Sequence, residues 1–334
     1  MSTPSESIPR PRSSRDESDV LVSAVIVSWN CRAYVLECLA SLCAGDNARS
    51  MEIIVVDNAS TDGTVEAIAA RFPDNVRLIR NAHNVGFSRA NNIALQLCRG
   101  QYVCLINADV VVPPGCIEKM ANYLDGHREV GLLGPRMLCP NGRMGNGVMR
   151  FPTVWNTFCC ALGLHRLFPA SGLLGGFVMA GFEPGATQDV EVLTGWFWMT
   201  RCEALRQVGG LDEQFFMYGE DIDWCYRFRK AGWRVVFYAG AEALHYRAAS
   251  SDNSPQRFYV EMQRANLQYF RKHHNWTGRA GYWVARCIHE AIRVAGFSLI
   301  YLLRPSRRPE AALKILRGVA CIGFLTGLRT TSDK

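Results

Sequence analysis

Four runs of β-branched and apolar residues, at 22–27, 53–56, 76–79 and 102–106, succeed one another early in the chain with helical patterns between them. A strand that is apolar at every position must be covered on both faces, and a parallel sheet between two layers of helices is the arrangement that does this. The pattern therefore predicts an α/β fold built on a Rossmann-like, mostly parallel sheet flanked by helices. Capping side chains at 58–63 precede an expected helix over 65–71, and Pro113 and Pro114 suit the first turn of a helix running to Leu124.

The residues immediately after each run bear on function. Ser28-Trp29-Asn30, Asp57-Asn58, Arg80-Asn81 and Asn107-Ala108-Asp109 place hydrogen-bonding side chains at the strand ends. Ligands of open α/β sheets bind beyond the carboxyl ends of the strands, so four polar ends in succession describe one shared site; the competing reading is that polar residues merely begin loops. No Gly-x-Gly-x-x-Gly follows the first strand and no P-loop sequence occurs, so neither a dinucleotide fingerprint nor a phosphate-cradling lysine loop is supported.

A second feature is GGLDEQFFMYGEDIDW at 209–224, where Asp212, Glu213, Glu220, Asp221 and Asp223 stand among Phe215, Phe216, Met217 and Tyr218. Carboxylates beside aromatic rings are costly unless partnered, and acids held this way often have a proton affinity tuned for acid/base work or metal binding. On a helix starting near Gly219, Glu220 and Asp223 share a face while Asp221 turns away from them. The alternative role is that of N-terminal helix residues favoured by the dipole.

With these residues in view, the chain resembles the family 2 glycosyltransferases of GT-A fold, particularly the rhamnosyltransferase-like bacterial members. The resemblance is carried by VVDNASTDGT (55–64), NAHNVGFSRANN (81–92), INAD (106–109), VGGLDEQFFMYGEDIDWCYRFRKAGW (208–233) and ALHYRAASS (243–251), five motifs in order. It implies a nucleotide-diphosphate sugar donor, a divalent cation (Mg2+ or Mn2+) and an inverting transfer to an acceptor hydroxyl. Asp57 then matches the acid that reads a pyrimidine imide, and Ser28 and Asn30 belong to the same strand-end site. Asn84, Gly86 and Asn92 match the loop and helix around the nucleotide.

Asp109 matches the last acid of the metal-binding motif, with Asn107 standing where many relatives carry a first aspartate. His245 matches a metal ligand of some members, and Arg247 and Ser250 are nearby diphosphate candidates. Asp221 matches the catalytic base, supported by Glu220. Gly195 and Trp196 match the strand on which donor sugar and acceptor meet; Trp196 and Trp198 share one side of it, either to stack on sugar rings or as core.

The implied donor is dTDP-rhamnose, with UDP-galactofuranose or another UDP-hexose as the alternative. The implied acceptor is a glycan or lipid-linked molecule of the cell surface. A Gln-x-x-Arg-Trp motif of processive synthases is absent, which favours single additions. A nucleotidyltransferase would need a Gly-rich basic loop where Ser28-Trp29-Asn30-Cys31 stands. A non-catalytic nucleotide-sugar-binding membrane scaffold is the reading from another class.

The 13 cysteines include no Cys-x-x-Cys pair and no zinc-finger spacing, so free thiols in a reducing compartment account for them. Residues 1–19 lack the apolar core of a secretory signal and read as a disordered tail, giving the expectation of a cytoplasmic protein. Much of the net charge of +7 lies late in the chain, where Arg279, Arg286 and Arg293 recur every seven residues opposite Trp283, Val284, Ile288 and Ile292. This amphipathic pattern suits the inner face of a membrane rather than nucleic acid, the alternative being a helical subdomain docked on the catalytic core. The uncharged run at 294–303 is too short for a span of about 20 residues. The expected organisation is a tail (1–19), a GT-A domain (20–251) with an apolar acceptor-side insertion (138–190), and a C-terminal amphipathic helical region (252–334).

Overall fold

The computed structural model describes residues 21–44, 51–145, 147–246 and 255–326, with side chains from Tyr259 onward in the last segment. The expected tail, Arg247 and Ser250 lie outside the described residues. In chain order the elements are β1 (Val22–Ser28), α1 (Arg32–Cys43), β2 (Met51–Asp57), α2 (Thr64–Arg71), β3 (Val76–Arg80), α3 (Phe87–Leu95), β4 (Tyr102–Asn107), β5 (Val110–Val111), α4 (Cys116–Gly126) and β6 (Val130–Leu138). They continue with β7 (Val148–Met149), α5 (Val154–Ala161), α6 (Leu164–Leu167), β8 (Gln188–Asp189), β9 (Val192–Leu193), β10 (Phe197–Arg201), α7 (Cys202–Val208), α8 (Glu220–Lys230), β11 (Arg234–His245), α9 (Pro255–His273), α10 (Trp276–Leu303) and α11 (Arg308–Thr326).

The chain divides into two compact units. The first comprises Met1–Val148, Glu183–Phe216 and Glu220–Ser250. Its sheet runs β3-β2-β1-β4-β10-β6-β11-β5, with β8 beside β11. The four expected strands are parallel neighbours; β1 and β4 are buried along nearly their whole length, as their largely apolar runs require, whereas β3, with Arg77 inside its run, is a partly exposed edge strand. Their registers bring the polar ends level: Ser28 pairs with Asp57, Asp57 with Arg80, and Val27 with Asn107.

Two features depart from the expected simple alternation. β10 inserts antiparallel between β4 and β6, and β5 pairs antiparallel with the end of β11, setting His245 opposite Val110. Helix starts also differ. The residues directly before α2 and α4 are glycines with positive φ, Gly63 (78°) and Gly115 (75°), and make no side-chain cap; of the expected capping side chains, Asp62 accepts from the Thr64 amide at the start of α2 (3.2 Å), and the two prolines stand ahead of α4 rather than in its first turn. Glycine enters the left-handed region without the steric cost of a Cβ, which lets the chain turn sharply into each helix.

The second unit comprises Met149–Phe182, Met217–Gly219 and Ser251–Lys334. α5 opens with a reciprocal capping box between Thr153 and Asn156 and packs on α10, which forms a hairpin with α11. Of the three arginines on the expected charged face of α10, Arg279 is exposed and donates to the Arg271 and His274 carbonyls, while the other two are turned the opposite way from a wet charged face. Arg286 and Arg293 point inward, where they meet the Tyr259 hydroxyl and the fully buried Glu290 carboxylate, while Trp283, Val284 and Ile292 are exposed. A buried carboxylate is stable there because two guanidiniums and a phenol replace its water. Among the described residues no helix is long and apolar enough to cross a membrane.

Candidate active site

The ends of β1 and β2 are laced together. Asn30, with φ 49°, accepts from the Thr61 amide (2.8 Å) and its own amide donates to Ser60 Oγ (2.9 Å), while buried Ser28 contacts Cys31 Sγ (3.3 Å). Both side chains are thus spent on the loop framework. Asp57 is different: it is 1% exposed, and Oδ2 accepts from the Ser60 amide (2.9 Å) while Oδ1 is buried with no hydrogen-bond partner. A buried carboxylate oxygen left open is costly, and an incoming N–H donor would relieve the cost.

Next to Asp57, Asn58 holds the loop before α3. Its Nδ2 donates to the Gly86 carbonyl (3.2 Å), and its Oδ1 accepts from Asn81 (2.8 Å). Asn84 closes a local turn by accepting the Gly86 amide (2.9 Å). Gly86 itself has φ 88° and lies against Phe216, whose carbonyl oxygen would be 2.6 Å from any added Cβ. The Phe87 amide donates to that same carbonyl (2.7 Å). Asn92, expected beside the nucleotide, instead clamps Leu211 by two backbone hydrogen bonds (2.8 and 2.9 Å) and reaches Glu213 (3.0 Å). Gly86 and Asn92 therefore hold the loop entering the acidic block to α3 and the loop before it, while Asn84 shapes the turn at Gly86. Phe216, the partner in this contact, carries no sequence signal of its own; Asn58 stands out in sequence only as a polar strand end.

Within the acidic block the carboxylates divide by environment. Asp223 is fully buried and paired with Arg227 (2.8 Å), whose guanidinium also donates to the Val208 and Gly210 carbonyls (2.9 and 2.7 Å). It fastens the Gly209–Gly210 turn to α8, a structural role. Asp212 accepts from the Gln214 amide (3.0 Å) within its own loop. Glu220 is buried with Oε2 unpartnered, and burial, with the neighbouring Asp221 and Asp223 charges adding to it, pushes its carboxyl well above the usual range.

Asp221 is half-exposed at the start of α8, where Oδ1 accepts from the Ile222 amide (2.9 Å). A Cβ added to Gly195 would lie 3.0 Å from the Trp198 ring and 3.5 Å from the Asp221 Cβ, so the absence of a side chain lets this turn pack on Trp198 beside Asp221. The adjacent Trp196 carbonyl accepts from the Asn107 amide (2.9 Å), and the Trp196 ring stacks on His245 at 5.4 Å between centroids. Of the two roles open for the tryptophans, burial is what is observed: Trp196 is 4% exposed and Trp198 is enclosed against Trp224. The 194–198 segment thus brings together Asn107, Gly195, Trp196, Asp221 and His245.

His245 Nε2 meets Asp109 Oδ1 at 3.2 Å, both groups nearly buried, and His245 Nδ1 has no partner. The separation is close to the roughly 3 Å between neighbouring ligands of a six-coordinate cation with bonds of about 2.1 Å. Imidazole nitrogen and carboxylate oxygen form a donor set suited to Mn2+ or a similar ion. No group of three or more His, Cys, Asp or Glu side chains among the described residues is placed to hold a metal. Asp109 and His245 could thus supply two ligands at most, and a cation held by them would need its remaining oxygens from elsewhere.

Comparison with known proteins gives this arrangement its class. The model of the family described as glycosyl transferase family 2 matches residues 23–184. N-acetylglucosaminyl-diphospho-decaprenol L-rhamnosyltransferase of Mycobacterium tuberculosis is 30% identical over 79% of this chain and 88% of its own length. The chain belongs to glycosyl transferase family 2 and is a glycosyltransferase. A mannosyltransferase from Pyrobaculum calidifontis, solved with GDP-Man and Mn2+, shares the fold at 18% identity and a TM-score of 0.53, covering 96% of this chain and 90% of that one. S. aureus TarS 1–349, solved with UDP, does so at 17% identity and a TM-score of 0.51, covering 92% of each chain.

The Glu220 environment has a consequence for pH. A carboxyl whose pKa is higher in the folded than in the unfolded chain binds more protons when folded, so its stabilising contribution is complete below the ordinary carboxylate value and lost as pH rises toward the folded one. Glu220→Gln is therefore expected to raise the melting temperature relative to the parent at pH 8 and to lose that advantage near pH 4.5, the ordinary value for a glutamate. Melting curves of both proteins across this range check it; parallel pH profiles would show that Glu220 is not held protonated.

Proposed function

We propose that this protein adds a single sugar to a lipid-linked or glycan acceptor by one inverting displacement, with dTDP-rhamnose the favoured donor and a UDP-hexose or UDP-galactofuranose the alternative. The reading is supported above all by the open Asp57 oxygen on one side and the Asp221–Gly195 contact on the other, within a family 2 glycosyltransferase. The buried Oδ1 of Asp57 accepts the imide N–H of thymine or uracil. Asp109 and His245 would hold a divalent cation, which when bound would supply positive charge beside the donor diphosphate. Asp221 removes the proton of the acceptor hydroxyl as its oxygen attacks the anomeric carbon, and one in-line displacement inverts that centre. Trp196 fixes the His245 ring from behind. Glu220 and Asn92 are positioning residues for the block that carries Asp221.

The rhamnosyltransferase relative acts on an acceptor its name describes as N-acetylglucosaminyl-diphospho-decaprenol. An acceptor of that kind for this chain supports the reading of a peripheral protein on the inner face of the membrane. A panel of nucleotide sugars with and without Mn2+, scored by thermal shift, tests the donor: dTDP-rhamnose should raise the melting temperature most, because a ligand stabilises in proportion to its affinity for the native state. No response to any dTDP or UDP sugar overturns the reading. Asp57→Asn should weaken donor binding by about 10- to 150-fold, the equivalent of losing a charged hydrogen bond of about 1.5–3 kcal/mol. Titration calorimetry checks this; an unchanged dissociation constant would remove Asp57 from the nucleotide site.

A further inference from the structure

We infer that the outer face of the α10–α11 hairpin and its tip insert into the surface of an anionic bilayer. The second unit buries a charged cluster beside an apolar core that includes Tyr269, Phe270 and Tyr282, and leaves a further apolar face outside. Its interior holds Glu290 with Arg286, Arg293 and Tyr259, whereas Ile292, Leu299, Leu302 and Leu303 on α10 and Leu316 on α11 face outward and exposed. A helix in water gains stability by turning its apolar stripe inward; here the charged stripe is inward, so the apolar one needs cover from outside the chain.

The tip identifies that cover. Every residue from Tyr301 to Glu310 is exposed, and the sequence there sets Tyr301, Leu302 and Leu303 directly before Arg304, Arg307 and Arg308, three cations against the single acid Glu310. Arg308 is held at the tip by donating to the Tyr301 carbonyl (3.1 Å), with its guanidinium over the Tyr301 ring. Leucine and tyrosine followed immediately by arginines match the order of acyl chains, interface and phosphate in a leaflet. No helix among the described residues is apolar enough to cross, so the hairpin lies in the interface.

The inference rests on the membrane-facing reading of the acceptor and is tested without acceptor or donor. Full-length protein is floated with vesicles of phosphatidylcholine alone or with phosphatidylglycerol added. The parent should float with the anionic vesicles, and Leu302→Asp with Leu303→Asp should cut the bound fraction about tenfold or more, from the loss of two apolar anchors. Changing Arg304, Arg307 and Arg308 to Gln should reduce the preference for anionic lipid by about fivefold per arginine. Leu303→Trp adds a reporter that keeps the face apolar, and its fluorescence should be quenched by brominated lipid.

Undiminished flotation of the double aspartate variant, absence of quenching at 303, or a parent that self-associates without binding vesicles each overturns the inference. Sugar transfer to a short-chain, water-soluble acceptor should be unchanged in every variant. Loss of vesicle binding with transfer intact supports the hairpin as the anchor, and vesicle binding by a parent that transfers no sugar to any acceptor defeats the proposed function alone.

Discussion

Asp221→Asn is expected to lower kcat by about 10²–10⁴-fold, the usual range for removing a positioned general base, while leaving the thermal shift by donor nearly unchanged. The substitution is chosen for what it keeps. An amide oxygen can still accept from the Ile222 amide, so the start of α8 is preserved, and the side chain still fits against Gly195. What it removes is the ability to take a proton from the acceptor hydroxyl. Single-turnover transfer and donor titration on the same protein separate the two effects. Transfer at the parental rate would take Asp221 out of the base role and reopen the choice of base, whereas joint loss of transfer and donor binding would point to a collapsed block.

Gly86→Ala should be the most damaging change that touches no proposed reacting atom. The backbone there has φ 88° and ψ 171°, a region used almost only by glycine, and an alanine Cβ would sit 2.6 Å from the Phe216 carbonyl oxygen and 2.7 Å from its ring. Relief requires that the α3 loop or the loop entering the acidic block move, and both are tied down, by Asn58 on one side and by the Phe87 amide and Asn92 on the other. Backbone strain and overpacking together are expected to cost about 2–4 kcal/mol. Denaturant unfolding measures that cost, and kinetics should show kcat falling along with stability because Asp221 is displaced with the loop. Full stability with full activity would mean that this contact is not what positions the block.

These two sites show how differently the sequence served fold and function. The strands at 53–56 and 102–106 were legible as unbroken apolar runs with few other uses than a covered strand, and those at 22–27 and 76–79 as β-branched-rich runs interrupted by Ser23 and Arg77, the latter forming the partly exposed edge strand β3. The start of α8 at Glu220 was legible from Gly219 and the acids after it. Polar residues at strand ends were a poorer guide to individual roles. Asp57 keeps a buried oxygen open, but Asn30 and Ser28 are used by the framework and Asn92 by the Leu211 backbone. An asparagine that closes a loop and one that faces a ligand look alike in sequence, since both are short amides near a turn.

What the sequence determined by itself was the α/β class, the order of the parallel strands' polar ends, and the membership of Asp57, Asp109, Asp221 and His245 in motifs of one enzyme family. Tertiary structure decided which of those ends remain free and how they meet. Asp109 and His245 are 136 residues apart and touch only because β5 pairs antiparallel with the end of β11. It also decided the orientation of α10: a repeat of arginines shows which residues share a helical face, but whether that face meets water or a buried Glu290 depends on the helices packed beside it. Local periodicity is set by backbone geometry within one element, whereas the partner of each face is chosen by contacts between residues far apart in the chain.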